Sequence, residues 1–335
     1  MKKKIAFMAP ETKWWPYYVY KDIVEWLKEK YNDKLEVHFF NSKKDWLKLH
    51  IAKYDIIFSV VPFLFKPIWA KKYIYILVWN YIKERKINRL WNKLLYLSPY
   101  NLHFSNQIIL MNNYLINKIP TLKKYINKIV IIPNFIDFNK FNKIRLLNIS
   151  KIKENLSYYD EINILTITWF KFYDKAKWII NLKNVLVKLA KQYNNKKIIW
   201  NIAWNSNNKN FLSLIDKFNK IKNPLNLTIN FLWWINEDKL LLQYRQNDIF
   251  LYWTYLDVFP TVLLEASASW LPLFINNFDS FDKLFPKEII CNSEEQMLNK
   301  IINSDLNFIQ NILIKNSKKF DINIILKDFI KIIEN

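Results

Sequence analysis

Three residue types are absent or scarce in this chain. Its 335 residues include no glycine, one cysteine (Cys291) and three histidines. A single cysteine excludes an internal disulfide and is typical of proteins from a reducing compartment. The scattered histidines and the lone cysteine lack the ligand spacing of a zinc site, so we expect no bound metal.

Long apolar runs are missing as well. The longest, at 56–65 and 73–78, fall short of the roughly 20 residues that span a bilayer. The basic start is followed by an apolar run that ends at Pro10, which we interpret as a first strand and not as an export signal. We therefore expect a cytoplasmic protein, either soluble or peripheral at the inner face of the membrane.

Positive charge is in excess, with a formal net charge of +22. Such a balance favours a polyanionic partner such as nucleic acid, anionic lipid or a phosphorylated substrate. Lys, Asn and Ile dominate throughout, however, as AT-rich coding produces, and no nucleic-acid-binding motif is evident. The open alternatives are coding bias and a surface that attracts membrane or phosphate, while nucleic acid is not expected.

The lack of glycine is the most unusual feature, because average usage of about 7% would give roughly 23 glycines here. Left-handed backbone is costly for every other residue, so a fold with many tight turns rarely avoids glycine. Tryptophan, by contrast, occurs fifteen times. Trp270 follows a predicted helix at 260–269 and precedes Leu271-Pro272, a slot that favours glycine in a left-handed conformation.

Other tryptophans also stand at positions typical of glycine. Trp14-Trp15 and Trp233-Trp234 lie at the ends of apolar runs, and Trp204 ends a predicted strand among turn residues. We hypothesise that the source organism reads the codon UGA as glycine, so that many or all of the tryptophans replace glycine. The alternative is a natural glycine-free, tryptophan-rich protein.

Strand-like runs alternate with amphipathic helical runs along the chain, the pattern of parallel sheets with crossover helices. The fold class is α/β, with two Rossmann-like doubly wound domains facing a central cleft. Strands are predicted at 4–9, 35–41, 55–61, 73–78, 128–133, 162–168, 197–203, 227–232, 248–252 and 271–275. Helices are predicted at 17–31, 107–119, 177–193, 210–221, 237–246, 260–269, 294–302 and 316–333.

The length suits two domains. We predict an N-terminal Rossmann-like domain over 1–145 and a second over 160–315. A polar segment at 142–159, rich in Lys, Asn and Ser, is the predicted linker, and a C-terminal helix within 316–335 is expected to cross back to the first domain.

Two carboxylates flank a predicted strand–loop–helix junction in the second domain. Asp257 lies in the loop after the strand at 248–252, and Glu265 lies on the helix at 260–269. Free amides at the start of that helix, aided by its dipole, can hold an anionic phosphate. Glu265 can accept hydrogen bonds from a ribose diol, and Asp257 can reach a sugar ring on the other side.

This stretch resembles the acidic signature of retaining glycosyltransferases of family 4, which have the two-domain fold called GT-B. The family pattern has two Glu separated by seven residues, with Gly-Phe-Pro after the first and Leu-Glu-Ala at the second. The chain matches it at Phe259-Pro260, at Leu264-Glu265-Ala266 and through Pro272. Asp257 departs from the pattern by being one methylene shorter than the usual first Glu.

Further segments follow the family's order. Residues 131–137 resemble its Ile-Pro-Asn-Gly-Val-Asp segment, which we interpret as structural, and 231–235 resemble its Phe-Leu-Gly segment beside the base pocket. Residues 168–178 resemble the Gly-Arg…Lys-Gly segment that binds the donor diphosphate. There Lys177 takes the place of the phosphate lysine, with Lys175 as an alternative, while Phe170 replaces the Arg and removes one bidentate ligand.

The resemblance implies that a hexose moves from a nucleotide-diphosphate sugar to an acceptor hydroxyl with retention, in synthesis of an envelope polysaccharide or glycolipid. It implies no cofactor and no metal. The expected partners are the nucleotide sugar, a saccharide or lipid-linked acceptor, and an anionic membrane in peripheral contact, with no nucleic acid. Asp257 and Lys177 are the expected catalytic residues. The expected donor-binding residues are Trp14, Trp15, Lys175, Lys177, Phe259, Thr261, Val262 and Glu265.

Two other functions stay open at this point. A sugar-nucleotide epimerase or a non-catalytic relative would keep the fold, and the departures at 170 and 257 leave room for either. A basic membrane- or nucleic-acid-binding protein would belong to a different class and would show salt-sensitive binding to polyanions that survives loss of Glu265.

Overall fold

A computed structural model describes residues 2–10, 15–51, 53–78, 96–149, 153–168, 177–204, 209–232, 236–257 and 259–335. The chain forms two compact units. The first comprises Met1–Pro133 with Leu326–Asn335, and the second comprises Asn134–Ile325. Each unit contains one six-stranded sheet.

The first unit is a parallel sheet with helices in its crossovers. Its strands are β1 (Lys3–Ala9), β2 (Leu35–Asn41), β3 (Tyr54–Ser59), β4 (Ala70–Leu77), β5 (Gln107–Leu110) and β6 (Ile129–Ile131). Its helices over the described residues are α1 (Trp15–Lys30), α2 (Ser42–Ile51), α3 (Ser98–Phe104) and α4 (Tyr114–Lys118). The strand order is β2-β1-β3-β4-β5-β6, and every pair is parallel.

The central strands of this sheet follow from continuous apolar runs. Ile57 and Phe58 of β3 are fully buried, and so is Tyr73 of β4. Strands covered by helices on both faces carry such runs instead of an apolar–polar alternation. The predicted α/β class with doubly wound sheets is confirmed in this unit.

The predicted helix at 107–119 is wrong over its first half. Gln107–Leu110 form β5, which pairs with β4 and β6, and only Tyr114–Lys118 are helical. Ile108, Ile109 and Leu110 are all buried. A short apolar run fits a buried strand or a helix equally well from periodicity alone, and the two neighbouring strands decide the outcome here.

The C-terminal helix packs against the first sheet. This helix, Ile322–Glu334, places Phe329 against Phe7 and Phe58, with ring centroids 6.2 and 5.8 Å apart. Lys72 Nζ donates to the carbonyl of Ile332 at 3.2 Å. The last residues of the chain therefore complete the core of the first unit.

The second unit repeats the design. Its strands are β7 (Glu161–Thr168), β8 (Lys197–Trp204), β9 (Leu227–Leu232), β10 (Ile249–Tyr252), β11 (Leu273–Asn276) and β12 (Ile290–Cys291). Its helices over the described residues are α5 (Phe138–Asn148), α6 (Ile179–Gln192), α7 (Lys209–Asn219), α8 (Glu237–Gln246), α9 (Thr261–Ala268), α10 (Glu294–Asn303) and α11 (Leu306–Ser317). The C-terminal helix α12 (Ile322–Glu334) begins in this unit, and its residues from Leu326 onward belong to the first unit.

The second sheet has the Rossmann strand order. The strands run β12-β11-β10-β7-β8-β9, all parallel. Strands β7, β8 and β9 follow one another toward one edge of the sheet, and β10, β11 and β12 follow one another toward the other edge. The order reverses between β7 and β10, and ligands of doubly wound sheets bind at that reversal, outside the carboxyl ends of the strands.

Helix α6 covers this sheet with the face that its sequence predicts. Leu182, Val185, Leu186 and Leu189 recur at helical spacing, and all four are buried. At about 25 cal/mol per Å² of apolar surface, such side chains contribute roughly 1.5–3 kcal/mol each on burial.

The polar segment at 142–159, predicted as a linker, is partly helical. It overlaps α5, where Phe141 and Ile144 are buried, and it contains a short 3₁₀ turn at Leu156–Tyr158. Asn148 is buried and donates to the carbonyls of Tyr244 and Ser269 at 3.1 and 2.8 Å. Buried amides and aromatic contacts, which composition does not reveal, hold this segment on the second unit.

No helix in the described ranges combines the length and the apolar character needed to cross a lipid bilayer.

Candidate functional site

The two sequence-predicted carboxylates and one predicted lysine follow the strands at which the second sheet reverses order. Ile249 and Phe250 of β10 pair with Ile164 and Leu165 of β7. Lys177 comes after β7, and Asp257 and Glu265 come after β10. Adjacent parallel strands end at the same edge of a sheet, so the segments that carry these residues leave the sheet at the same edge.

The loop after β10 is fixed by a reciprocal pair of hydrogen bonds. The main-chain N–H of Thr254 donates to Asn276 Oδ1 at 2.7 Å, and Asn276 Nδ2 donates back to the Thr254 carbonyl at 2.8 Å. The Thr254 hydroxyl accepts from the main-chain N–H groups of Leu256 and Asp257 at 3.2 and 3.3 Å. Thr254 and Asn276 are both buried, so the backbone that carries Asp257 is anchored to the end of β11.

The carboxylate of Asp257 is held by a hydrogen bond from the last residue of β10. The Tyr252 hydroxyl donates to Asp257 Oδ2 at 2.9 Å. Tyr252 is buried, and this burial, followed by the nearby Asp257 charge, raises the pKa of its hydroxyl well above the ordinary value. The hydroxyl therefore stays protonated and remains a hydrogen-bond donor.

Helix α9 begins at the predicted phosphate position. Pro260 is its N-cap and supplies no side-chain cap, so the first main-chain N–H groups of the helix have no partner of that kind. Uncapped N–H groups and the helix dipole attract anions. Thr261 and Val262 form the first turn and are half-buried.

Phe259 directs its ring into the core. It is buried, with its ring centroid 5.2 Å from that of Phe320 and 6.2 Å from that of Phe285. Its carbonyl accepts from Asn134 Nδ2 at 2.6 Å. Asn134 belongs to the 131–137 segment that was interpreted as structural, and here it ties that segment to the acidic motif.

Glu265 lies one turn into α9 with three groups around its carboxylate. The Tyr244 hydroxyl donates to Glu265 Oε2 at 2.8 Å. Burial raises the pKa of Glu265, while hydrogen bonds from Tyr244 and Thr261 and the charge of Lys140 oppose that shift. Lys140 lies on α5, so the carboxylate is surrounded by side chains from three helices.

Lys177 lies directly before α6. Its ammonium is 4.9 Å from the centroid of the Trp178 ring. The Trp178 ring contacts that of Tyr255 at 4.5 Å between centroids, with an interplanar angle of 71°. Tyr255 belongs to the loop that carries Asp257, so the segment with Lys177 and the acidic loop are neighbours, and an indole fills the space beside them.

Several predicted positions fall outside the described residues. These are Trp14, Lys175, the segment 169–171 and the pair Trp233-Trp234. Trp15 is described only in its backbone, which begins α1. The described residues stop at Pro10, after β1, and resume at Trp15, where α1 begins.

Trp270 adopts the backbone conformation predicted for it. Its φ angle is 64°, and it is the one positive-φ position among the described residues. The N–H of Leu271 donates to the carbonyl of Ala266 at 3.1 Å, and that of Trp270 donates to Ser267 at 3.2 Å. These two bonds form a Schellman motif with Trp270 at C′, the position where glycine is usual.

Two further tryptophans differ in how well their indoles fit. The Trp253 side chain is 7% exposed, and its indole N–H has no hydrogen-bond partner among the described residues. Leaving a buried donor unpaired costs about 1–3 kcal/mol. Trp200, which is 0% exposed, donates its indole N–H to the Thr166 hydroxyl at 2.9 Å, so that position accommodates a tryptophan fully.

The sequence pattern missed the residues that hold the acidic pair. Tyr244 and Tyr252 lie in a helix and a strand, where a buried tyrosine is ordinary, and no motif marks them. Lys140 and Asn276 are equally unmarked. Only Asn134 carried a signal, because it belongs to a segment with a family resemblance.

Comparisons with known proteins locate the fold. No family model matches the chain, and no curated protein matches it. Solved structures do. HepE from Anabaena, crystallised with UDP and glucose, is similar with a TM-score of 0.69 at 13% identity, and the match covers 99% of both chains.

Two other solved structures are similar over the whole chain. Sucrose-phosphate synthase from Thermosynechococcus elongatus gives a TM-score of 0.68 at 13% identity, with 99% of this chain and 98% of that chain covered. The lipopolysaccharide outer core galactosyltransferase WaaB gives 0.66 at 11% identity, covering 97% and 98%. The chain therefore has the GT-B fold, as the sequence motifs predicted.

Proposed function

We propose that this chain is a nucleotide-sugar glycosyltransferase that moves a hexose to an acceptor hydroxyl with retention of anomeric configuration. The observation that carries the proposal is the placement of Asp257 and Glu265. Both follow β10 at the reversal of the second sheet, and each accepts a hydrogen bond from a buried tyrosine. A pair of fixed carboxylates beside an uncapped helix start suits a sugar nucleotide, which combines hydroxyls with a diphosphate.

Each residue has a proposed role in that reaction. Negative charge grows on the leaving diphosphate, and Lys177 or Lys175, with the first N–H groups of α9 at Thr261 and Val262, would stabilise it. Glu265 would accept hydrogen bonds from the ribose hydroxyls. Asp257 would contact the sugar ring that is transferred. Phe259 would act through its backbone, because its ring lies in the core.

Retention and membership of family 4 rest on the acidic signature and its spacing. The family pattern is two carboxylates separated by seven residues, which Asp257 and Glu265 reproduce. Solved structures with the same fold were crystallised with UDP and with UDP-glucose. A UDP-sugar is therefore the first donor to test. An acceptor in an envelope polysaccharide or a glycolipid, saccharide or lipid-linked, completes the proposal.

We also propose that several tryptophans replace glycine through UGA recoding. The left-handed backbone of Trp270 supports this, and so does the indole N–H of Trp253, which finds no acceptor in the described part of the chain. So does the indole of Trp178, which fills the space beside Lys177. Mass spectrometry of the protein from its native host tests it, and tryptophan in the peptide that contains position 270 would refute it there.

The activity test compares two forms of the chain: the sequence as it stands, and a glycine form with Gly at positions 14, 15, 169, 178 and 270. Each is incubated with UDP-, GDP- and ADP-sugars and a panel of saccharide and lipid-linked acceptors. We expect transfer by the glycine form, with the anomeric configuration of the product read by NMR. Inversion would refute the family assignment.

Variants then test the site. We expect Lys177→Ala to lower kcat/KM about 100-fold, because it removes charge from the developing diphosphate. Glu265→Ala should lower it at least about tenfold through lost hydrogen bonds to ribose. Lys191→Ala is the matched control, since Lys191 is exposed in the last turn of α6, the helix that follows Lys177. Full activity of both site variants, with folding checked by circular dichroism, would refute the site assignment.

The same assay separates the alternatives. A sugar-nucleotide epimerase would release an epimerised donor without an acceptor, and a non-catalytic relative would bind the donor and leave it unchanged. Either result would replace the proposed reaction while keeping the proposed donor site.

A further inference from the structure

Two tyrosines with the same arrangement support the two acidic residues. Tyr244 donates to Glu265 Oε2 at 2.8 Å, and Tyr252 donates to Asp257 Oδ2 at 2.9 Å. The tyrosines come from different elements, α8 and β10, while the carboxylates lie on α9 and on the loop before it. The Tyr244 contact therefore links two helices, whereas the Tyr252 contact joins the end of β10 to the loop that follows it.

Both hydroxyls are buried and directed at one acceptor. Tyr244 is 0% exposed and Tyr252 is 3% exposed. Burial, together with the adjacent carboxylate, raises the pKa of each hydroxyl well above its ordinary value. Each tyrosine is thus a permanent donor whose position is set by the packing of its ring.

The rings are held independently of the hydroxyls. The Tyr244 ring lies 6.1 Å from Phe141 and 6.3 Å from Phe250, between centroids. The Tyr252 ring stacks on Phe250 at 6.4 Å. Removing a hydroxyl leaves these apolar contacts in place, so the two contributions of each tyrosine can be separated.

A carboxylate held in this way is preorganised for a second contact. A glutamate side chain loses up to about 1.5–2 kcal/mol of rotamer freedom when it is fixed, and the tyrosine fixes it before the ligand arrives. An ionised carboxylate has about four acceptor sites, more than the hydrogen bonds from Tyr244 and Thr261 occupy at Glu265. The remaining sites can accept hydroxyl groups of a ligand in a defined orientation.

We propose that Tyr244 and Tyr252 are positioning residues that divide recognition of the donor. Tyr244 orients Glu265 to read the ribose diol, and Tyr252 orients Asp257 to read the transferred sugar. This inference rests on the proposed function, and it adds a prediction that the function alone does not make: the two tyrosines affect different parts of one ligand.

The test is a crossed binding experiment by isothermal titration calorimetry. Tyr244→Phe and Tyr252→Phe are made both in the chain as it stands and in the glycine form. The probes are UDP, 2′,3′-dideoxy-UDP and UDP-glucose, with the GDP and ADP equivalents if UDP does not bind. Thermal unfolding confirms that each variant is folded.

We expect Tyr244→Phe to weaken UDP binding about tenfold and to leave the affinity for dideoxy-UDP unchanged, because only the diol contact is lost. We expect Tyr252→Phe to leave UDP binding unchanged and to weaken UDP-glucose binding about tenfold. Tyr54→Phe is the control, since Tyr54 is a buried tyrosine of the first unit whose hydroxyl bonds His38 Nδ1 at 2.7 Å. It should change none of the affinities.

A merely structural role predicts a different pattern. Equal weakening of UDP and dideoxy-UDP by Tyr244→Phe, or no effect on either, would overturn the inference for Tyr244. Loss of UDP affinity in Tyr252→Phe would overturn it for Tyr252. If the unmodified protein in both forms binds none of the probes, the proposed function fails and this inference fails with it.

Discussion

At the scale of single residues, the missing glycine has an energetic consequence at Trp270. Left-handed backbone costs an L-residue roughly 1–2 kcal/mol, and glycine escapes that cost because it has no Cβ. The carbonyl of Trp270 accepts from Gln310 Nε2 at 2.9 Å, which helps to hold the turn in place. The Schellman bonds at the end of α9 therefore impose the conformation on whichever residue stands there.

We expect Trp270→Gly to raise the free energy of unfolding by about 1 kcal/mol, because it removes this backbone cost. Trp200→Gly is the contrasting variant, and it should lower the free energy by at least about 3 kcal/mol, since the indole is fully buried and hydrogen-bonded. Urea denaturation measures both. Destabilisation by Trp270→Gly would contradict recoding at that position.

At the scale of elements, helix α6 carries an unusual charge on its buried face. Lys183 is 1% exposed, and its ammonium donates to the carbonyl of Phe218 at 2.6 Å while lying 4.1 Å from the Phe218 ring centroid. Burial lowers the pKa of Lys183 from the ordinary 10.5. The Phe218 carbonyl also accepts from the N–H of Ile221 at 3.3 Å, so it keeps a partner without the lysine.

The lowered pKa has a definite effect on stability. Between the folded pKa and 10.5 the unfolded chain binds more protons at Lys183 than the folded chain does, so stability rises with pH in that window. Below the pKa that Lys183 has in the folded chain, the ammonium is charged in both states, and the full cost of burying it lowers the free energy of unfolding.

We expect Lys183→Met to raise the free energy of unfolding at neutral pH by about 1 kcal/mol, because it removes a buried charge and keeps the volume. The variant should also lose part of the increase in stability between neutral and alkaline pH. Lys188→Met, an exposed position on the same helix, should change neither quantity. Urea denaturation at neutral and at alkaline pH measures both quantities. A Lys183→Met variant that is less stable and has an unchanged pH dependence would contradict the prediction.

At the scale of the whole molecule, the net charge of +22 leaves two explanations, coding bias and an anionic surface as partner. In the first unit, the loop between β3 and β4 exposes large apolar side chains: Leu64 at 54%, Phe65 at 49%, Ile68 at 70% and Trp69 at 54%. Lys66 lies within this loop, and Lys53 Nζ is 5.7 Å from the Trp69 ring. Apolar side chains interspersed with lysine suit the surface of an anionic bilayer, so we propose this loop as the point of peripheral membrane contact.

Sedimentation with phosphatidylglycerol vesicles tests the proposed contact. We expect a triple change to Ser at Leu64, Phe65 and Ile68 to weaken binding at least about tenfold, because the buried apolar area is lost. Leu225→Ser is the control, since Leu225 is a fully exposed leucine of the second unit. Equal binding by the triple variant would refute this loop as the point of contact, and no binding by the unmodified protein would leave coding bias as the explanation of the charge.

Much of the second unit could be predicted from local pattern. The strand at 227–232 and the helix at 237–246 agree with Leu227–Leu232 and Glu237–Gln246. The left-handed residue at 270 also follows from helix-end chemistry alone. Such features depend on a few neighbouring residues, and for that reason the sequence carries them.

Other features were decided by tertiary contacts. Gln107–Leu110 form a strand because β4 and β6 flank them. The short strand β12 consists of two residues, which pair with the end of β11. Periodicity fitted either a helix or a strand at 107–110 and gave no prediction for β12, since both strands depend on partners distant in the chain.

The same division holds for the site. Asp257 and Glu265 could be found by spacing and resemblance, because a loop and the helix after it are continuous in sequence. The tyrosines that hold them and the Asn276 that anchors the loop come from up to 22 residues away or from other elements. Sequence alone determined most strands and helices of the second unit and the acidic motif, whereas the folded structure decided which buried hydroxyls contact those carboxylates, because the packing partners of a side chain depend on the tertiary fold.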